Sequence, residues 1–428
     1  MHVANTYARE IPMFPLKQLI LFATYLPLSF SFTTTVRIRN THIMSPQTTY
    51  RRSSSSSANE DDDSNINLPA YTFGLLTDIQ HAPIPDGHSY TGNARYYRHA
   101  IEAAAYAAQH FQEERVDCVV NLGDIIDGKC ADVQRWGGEV DIPTDSAEEQ
   151  TNIDGAKISV GHDAIDNVLQ SLSVYRGRIL HTYGNHELYN LSRDKLMEKL
   201  KIPFTMEDTG DLVGYYTYLI ENSNQKDVEK ISSSSPSMKL RALVLDTYDL
   251  CLLDRCPDSS HKRHRAHEIL SANNHNYPHE ENSPEGLEGV ARRFVAFNGG
   301  IDEPQLEWLH QTLQMARENE EKVIIFSHQP IHPGSTWPTC LVWNYDEVLD
   351  ILRSYKDVII ASFSGHAHKG GYIRDEESGI HFRSVEAVLE SSPPIRTYAI
   401  VDVFENKLVI RGEGDCVSDV YDLDHMKK

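Results

Sequence analysis

The stretch Val119-Val120-Asn121-Leu122-Gly123-Asp124-Ile125-Ile126-Asp127-Gly128 decides how the rest of the chain is read. The apolar run from Cys118 to Leu122 stops at Gly123 and delivers two carboxylates, Asp124 and Asp127, so it predicts a buried strand feeding an active-site loop. Four other apolar segments end in the same way. They are Leu75-Leu76-Thr77-Asp78-Ile79-Gln80, His181-Thr182-Tyr183-Gly184-Asn185-His186-Glu187, Ile324-Ile325-Phe326-Ser327-His328 and Ser362-Phe363-Ser364-Gly365-His366-Ala367-His368. Carboxylate, amide and imidazole donors are the set that binds hard or borderline divalent cations. Five strand ends carrying them point to one metal centre assembled from distant parts of the chain.

Spacing within the motifs supports this. Positions i and i+2 of an extended segment point the same way, so Asp78 and Gln80 can address one ion, and His366 and His368 reach toward a shared centre. One carboxylate, with its two oxygens, can bridge cations about 3.5 to 4 Å apart, a place suited to Asp124. Asn185 offers a carbonyl oxygen; His186 follows it too closely to share the same ion and is free to act on a substrate.

The ordered set D-x-Q, GDxxD, GNHE, SH, GHxH resembles the calcineurin-like metallophosphoesterase superfamily over roughly residues 71–412. Within it the chain is similar to the manganese-dependent ADP-ribose/CDP-alcohol diphosphatase family, as are Gly92 to His99, Phe297 to Leu309 and Cys340 to Tyr345. The resemblance implies an α/β fold, a four-layer α/β/β/α sandwich with two mixed sheets. It also implies two divalent cations, manganese or else magnesium, with Asp78, Gln80, Asp124 and His368 around one and Asp124, Asn185, His328 and His366 around the other. His186 would stabilise the transition state or protonate the leaving oxygen, and Asp127 would hydrogen-bond a ligand or that histidine. Most of the superfamily carries D-x-H where this chain has Asp78-Ile79-Gln80, but the diphosphatases share the glutamine. A neutral amide oxygen there favours manganese or magnesium over zinc. The implied reaction is hydrolysis of the diphosphate bond of ADP-ribose and CDP-alcohols (CDP-choline, CDP-ethanolamine, CDP-glycerol) to a nucleoside monophosphate plus ribose 5-phosphate or a phosphoalcohol. A phosphomonoesterase or cyclic-nucleotide phosphodiesterase would use the same ions. A purple acid phosphatase should have a tyrosine where Asp127 stands, and a catalytically silent scaffold would lack ligands that this chain keeps.

A net charge of −22 in 428 residues argues against a nucleic-acid partner, because phosphate contacts need clustered cations. The six cysteines form no CxxC pair and read as reduced thiols of an intracellular monomer, cytoplasmic or organellar, that takes a small nucleotide diphosphate. Residues 1–65 read as a targeting or leader segment plus disordered linker, ahead of a catalytic domain at 66–428. The apolar run Leu19 to Phe32 is 14 residues, short of a membrane span of about 20, so no stable membrane insertion of the mature domain is expected. Ile11 to Asn59 has no acidic residue, which suits an organelle transit peptide. Arg51 to Asn65, with its serine and aspartate runs, cannot bury a core.

Between the motifs, a helix of about 18 residues is expected from near Arg95. Arg95 and Arg98 at its start, with Tyr90, Tyr96, Tyr189 and Cys340, are candidate substrate contacts; a solvated helix end and core packing are the plainer uses of such arginines and tyrosines. The acidic stretch Asp132 to Ile158 reads as a surface loop, and His261, His264 and His267 as part of a solvated basic helix. The segment Asn273 to Gly289 reads as either a specificity insertion or a surface insertion. Asp302 with Gln305, and Asn344 with Glu347, read as capping pairs for the two helices that follow. Ile380 to Val385, Thr397 to Phe404 and Lys407 to Gly412 read as antiparallel strands completing the second sheet.

Overall fold

The computed structural model describes residues 68–130, 147–207, 209–221, 238–253 and 260–426, with side chains from 160 onward in the second of these ranges. These residues lie in one unit, Asn65–Lys428. The leader and linker expected at 1–65 lie outside them.

In chain order the elements are β1 (Tyr71–Leu76), β2 (Gly87–His88), β3 (Ala94–Arg95), α1 (His99–Glu114), β4 (Cys118–Asn121), α2 (Ala147–Leu172), β5 (Arg178–His181), α3 (Asn185–Asn190) and α4 (Arg193–Leu200). There follow β6 (Thr205–Met206), β7 (Leu212–Val213), β8 (Tyr216–Ile220), β9 (Lys239–Val244), α5 (His261–Asn273), α6 (Glu303–Glu318), β10 (Glu321–Ser327), α7 (Tyr345–Ser354) and β11 (Ile359–Ser364). The last are β12 (Lys369–Arg374), β13 (His381–Glu386), β14 (Tyr398–Val403), β15 (Lys407–Glu413) and β16 (Asp419–Asp422).

Two six-stranded sheets result, ordered β16-β15-β14-β1-β4-β5 and β12-β13-β11-β10-β9-β8. Both are mixed: β1, β4 and β5 run parallel beside antiparallel β14, and β9, β10, β11 and β13 run parallel between antiparallel β8 and β12. A parallel pair needs a crossover, and α1 and α2 supply those for β1, β4 and β5. Strands buried on both faces read as continuous apolar runs, which is why the motifs were recognisable.

The layers follow from strand alternation. On β10, Ile324 and Phe326 join the core between the sheets, whereas Val323 and Ile325 pack with Leu309 and Leu313 of α6 and Val348 and Leu352 of α7. Phe73 of β1 meets Phe326 and Phe363 edge-on at 5.7 and 6.1 Å, clasping one sheet to the other. Truncating one such ring costs about 3–5 kcal/mol. On the outer face of β1, Gly74 is pressed by Phe111 of α1: a Cβ there would fall 2.7 Å from its ring. Helices thus cover both outer faces and the α/β/β/α sandwich stands. All the parallel strands of each sheet point their C-terminal ends the same way, where α/β folds place their ligands.

Several local expectations are corrected. Helix α1 starts at His99, not near Arg95, because Ala94–Arg95 pairs with Gly87–His88. The latter part of the acidic stretch is helix, not loop, since α2 begins at Ala147 among good helix formers; 131–146 lie outside the described residues. Neither Asp302 nor Asn344 caps a helix with its side chain. Gln305 is drawn instead to the Asp246 backbone and Asp249, and Asn344 reaches the Ile301 backbone while its amide also donates to Glu347 Oε2 at 2.7 Å. Of the three segments expected to complete the second sheet only β13 does so, parallel to β11, while β14 pairs with β1 and β15 with β14 in the first. Helix α5 is the expected basic helix, with His261 and His264 exposed, and its other face is anchored: Lys262 is buried and ion-paired to Glu207 at 2.7 Å and to Asp249.

Candidate metal centre

The loops after β1 and β4 are zipped together, Asp78 N donating to Gly123 O at 3.0 Å and Gln80 N to Asp124 O at 2.8 Å. Asp78, Gln80, Asp124 and His366 all hold left-handed backbone, with φ of 51, 43, 55 and 64°. Such strain costs on the order of 1–3 kcal/mol per residue and persists only where surrounding structure enforces it. The glycines ahead of Asn185 and His366 are explained by close approach. A Cβ on Gly184 would fall 1.9 Å from Asp124 Oδ1, and one on Gly365 would fall 2.0 Å from Thr77 Oγ1.

Asp124, 1% exposed, is the hub. Its Oδ2 lies 3.0 Å from Gln80 Nε2, 3.4 Å from His328 Nε2 and 3.9 Å from His186 Nε2, while Oδ1 accepts the His186 N–H at 2.9 Å. On one side His368 Nε2 is 3.2 Å from Asp78 Oδ1 and 3.0 Å from Gln80 Nε2. On the other, His328 Nε2 is 3.2 Å from His366 Nδ1, and Asp124, His328 and His366 offer ligand atoms within 4.8 Å of one another. Asn185 opens α3 and its Oδ1 accepts from Tyr248 Oη at 3.1 Å.

The far nitrogen of each imidazole is held by an acceptor. His328 Nδ1 pairs with Leu122 O at 2.7 Å, His366 Nε2 with Asn298 Oδ1 at 3.0 Å and His368 Nδ1 with Glu390 Oε1 at 2.9 Å. Such partners fix tautomer and ring orientation so that the inward nitrogen carries a free lone pair. The buried charges also demand cations. Burial works against charge on every one of these groups, yet Asp124 is held well below the usual carboxylate range by His328 and His186. Against the same burial, Asp124 carries His328 up to about 9, and Asp78 with Glu390 carries His368 up to about 9. Burial, then the charge on His328, pushes His366 down to about 3. Two buried carboxylates are thus balanced by the positive charge of imidazoles, the role a divalent pair would take over, and the donor set fits manganese. Gln80 contributes once its amide turns to aim Oε1 inward, an orientation that side-chain shape alone does not fix.

His186 stands at the rim with Nδ1 accepting the Gly128 N–H at 2.7 Å and lying 3.4 Å from Asp127 Oδ2. That leaves the proton of the neutral ring on Nε2, facing the centre. Arg95 Nη1 spans Gln80 Oε1 and Asp127 Oδ2, each at 3.5 Å, and its buried Nε has no partner. Tyr189 sits edge-on to His186 with centroids 5.8 Å apart. Cys340 is half-buried beside Thr339, whose carbonyl accepts from Asn298; burial, with Asp78 adding, pushes its thiol up to about 11. Arg95, Tyr189 and Cys340 therefore reach the rim. Tyr90 is fully exposed, Arg98 is an exposed helix-start residue, and Tyr96 is half-buried with its backbone on Leu389, so nothing sets these three against the centre.

Sequence reading missed Glu187, Tyr248, Asn298 and Glu390. Glu187 accepts N–H groups from Gly184 at 2.9 Å, Asp124 at 3.0 Å and also Ile125, pinning the β4 loop to the β5 loop. Glu187 and Asn298 lay within quoted motifs and were open to notice; Tyr248 and Glu390 carry no local signal.

The description "Calcineurin-like phosphoesterase" matches residues 71–370. The chain belongs to the calcineurin-like phosphoesterase family. Among relatives of this calcineurin-like phosphoesterase, an Oryza sativa subsp. japonica protein named manganese-dependent ADP-ribose/CDP-alcohol diphosphatase is 36% identical, the match covering 80% of this chain and 91% of the relative. An Arabidopsis thaliana protein of the same name is 36% identical over 80% of this chain and 94% of its own. The crystal structure of a dimetal phosphatase from Danio rerio is similar at a TM-score of 0.68 and 32% identity, covering 83% of this chain and 100% of that one.

Proposed function

We propose that this calcineurin-like phosphoesterase is a manganese-dependent hydrolase of the diphosphate bond in ADP-ribose and CDP-alcohols. The observation that carries the proposal is the meeting of Asp78, Gln80, Asp124, Asn185, His328, His366 and His368 around one buried carboxylate, in a chain whose relatives bear that name. Asp78, Gln80, Asp124 and His368 would hold one cation, and Asp124, Asn185, His328 and His366 the other. When bound, such a pair supplies Lewis acidity toward phosphoryl oxygens and lowers the pKa of water. Arg95 meets the substrate's negative charge with a guanidinium already turned to the centre. His186 presents its Nε2 proton to the leaving oxygen, and the Gly128 N–H keeps the ring in place, on a loop that Asp127 braces by accepting the Lys129 N–H at 2.8 Å. A nucleoside monophosphate and ribose 5-phosphate or a phosphoalcohol would result.

The test is the full chain assayed on ADP-ribose, CDP-choline and bis(4-nitrophenyl) phosphate, with manganese, magnesium or zinc. Nucleotide substrates should lead by at least tenfold in kcat/KM with manganese; equal values on the generic ester would refute the substrate assignment. Among the described residues no helix is long and apolar enough to cross a membrane. We further read the chain as an intracellular monomer with a leader at 1–65 and a catalytic domain at 66–428, which light scattering and N-terminal sequencing of the native protein would check.

A further inference from the structure

A cleft of about 310 Å³ opens beside the centre, and its walls come from the two segments to which the activity above gives no role, helix α5 and the long loop behind it. Tyr189, next to His186, forms one side. Ala296 forms another, immediately before Phe297 and Asn298, which contact His366 by ring at 5.9 Å and by hydrogen bond at 3.0 Å. Both Tyr189 and Ala296 thus join the cleft to segments that carry residues of the centre.

Its far wall is polar and held in place. Arg263 of α5 is tied to Leu252 O at 3.2 Å, and Lys262 pins the helix itself through Glu207 and Asp249. On the loop, Glu281 O accepts from Ala296 N at 2.9 Å, and Asn274 Nδ2 reaches Ser283 O at 3.2 Å and Phe294 O at 2.7 Å. Glu281 and Asn282 line the cleft from a braced backbone, with solvent-facing side chains.

We propose that this cleft holds the nucleoside half of the substrate and reads the polar edge of an amino-nucleobase through Glu281 and Asn282. That inference rests on the diphosphatase activity proposed above. A cleft of this size lies at the small end of ligand sites, roughly 300–1,000 Å³, and is far roomier than a choline or glycerol head needs. The Tyr189 ring and the flanking aliphatic side chains provide a face for a base, and Arg263 adds a donor on the same wall as Glu281 and Asn282. A carboxylate only accepts hydrogen bonds, whereas an amide nitrogen donates. Adenine and cytosine both carry an amine donor beside a ring-nitrogen acceptor, the complement of that pair. Hypoxanthine and uracil place a carbonyl where the amine would be, opposite the carboxylate. An acceptor–donor pair carried on a braced backbone thus accounts for a single site that takes both ADP- and CDP-linked molecules.

The test is calorimetric binding of AMP, CMP, IMP and UMP to the manganese-loaded full chain and to Glu281→Gln, with kcat/KM for CDP-choline alongside. AMP and CMP should bind at least tenfold more tightly than IMP and UMP. In E281Q that preference should shrink below threefold while KM for CDP-choline rises about tenfold and kcat changes little. Equal binding of all four monophosphates by the wild type, or an unaltered preference in E281Q, would overturn the assignment. If the chain failed to cleave ADP-ribose and CDP-choline, the activity proposed above would fall, and the ranking of the four monophosphates would still decide the cleft.

Discussion

Replacing Tyr248 with phenylalanine isolates one contact that sequence did not reveal. The ring is fully buried, 5.9 Å from the His328 ring, and its backbone is anchored from both ends: N donates to Asp246 Oδ1 at 3.0 Å and O accepts from Arg193. Phenylalanine should therefore occupy the same space, and the change reduces to losing the hydroxyl that donates to Asn185 Oδ1 at 3.1 Å. A neutral hydrogen bond of this kind contributes about 0.5–1.5 kcal/mol. At 1.4 kcal/mol per factor of ten, the affinity of the cation proposed to sit against Asn185 should fall roughly 2- to 12-fold. Global stability should fall by a similar energy, about 2 °C in Tm for a domain of this size. Electron paramagnetic resonance of free manganese during titration reads the affinity directly, and thermal denaturation reads the rest. Unchanged binding at both sites would refute a positioning role for the hydroxyl.

Three other perturbations test the centre and its scaffold. His186→Ala should lower kcat by roughly 10²–10⁴ while manganese binding measured by the same resonance titration survives, since the proposal sets His186 against the leaving group and not an ion. Gln80→His should shift the metal preference from manganese toward zinc or iron; an identical activity ranking across metals would show that the amide does not set it. Acid should destabilise the fold before the carboxylates titrate. Burial, with the nearby Arg178 charge, pushes His181 down to about 4, and burial pushes His381 down to about 4 despite the Asp422 carbonyl. The unfolded chain, with His near 6.5, then binds more protons, so this stability is full above about pH 6.5 and lost as pH falls toward 4. His381→Phe, which keeps the stack on Tyr421 at 4.7 Å, should flatten the Tm loss between pH 6.5 and 5. An identical slope would exclude His381 as a contributor.

The candidate ligands were legible because each strand end and its turn are written locally: an apolar run buried on both faces, then a donor, with a glycine between them ahead of Asp124, Asn185 and His366. The last two glycines are required by the approach of Asp124 or Thr77 to their Cα atoms, so the motif encodes a tertiary contact in adjacent letters. The residues that orient the ligands were not legible, because Glu390 reaches His368 and Tyr248 reaches Asn185 only after folding. The same cause misdirected the capping pairs. Gln305 and Asn344 have the right types and spacing for local caps, but burial recruits them to distant backbone, where an unmet donor or acceptor would cost more. Neither strand pairing partner nor sheet membership is written in a single strand, so β13 and β14 could not be assigned to their sheets from alternation alone.

The order of synthesis runs against the order of assembly. Strand β1, which ends at Asp78, takes one neighbour from β4 and the other from β14, with Tyr71 opposite Val403. A nascent polypeptide halted before Tyr398 leaves the first strand with an open edge and its ligands unclamped. The ribosome must release nearly the whole molecule before a cation finds its full cage, so prematurely terminated fragments should be inert toward substrate rather than weakly active.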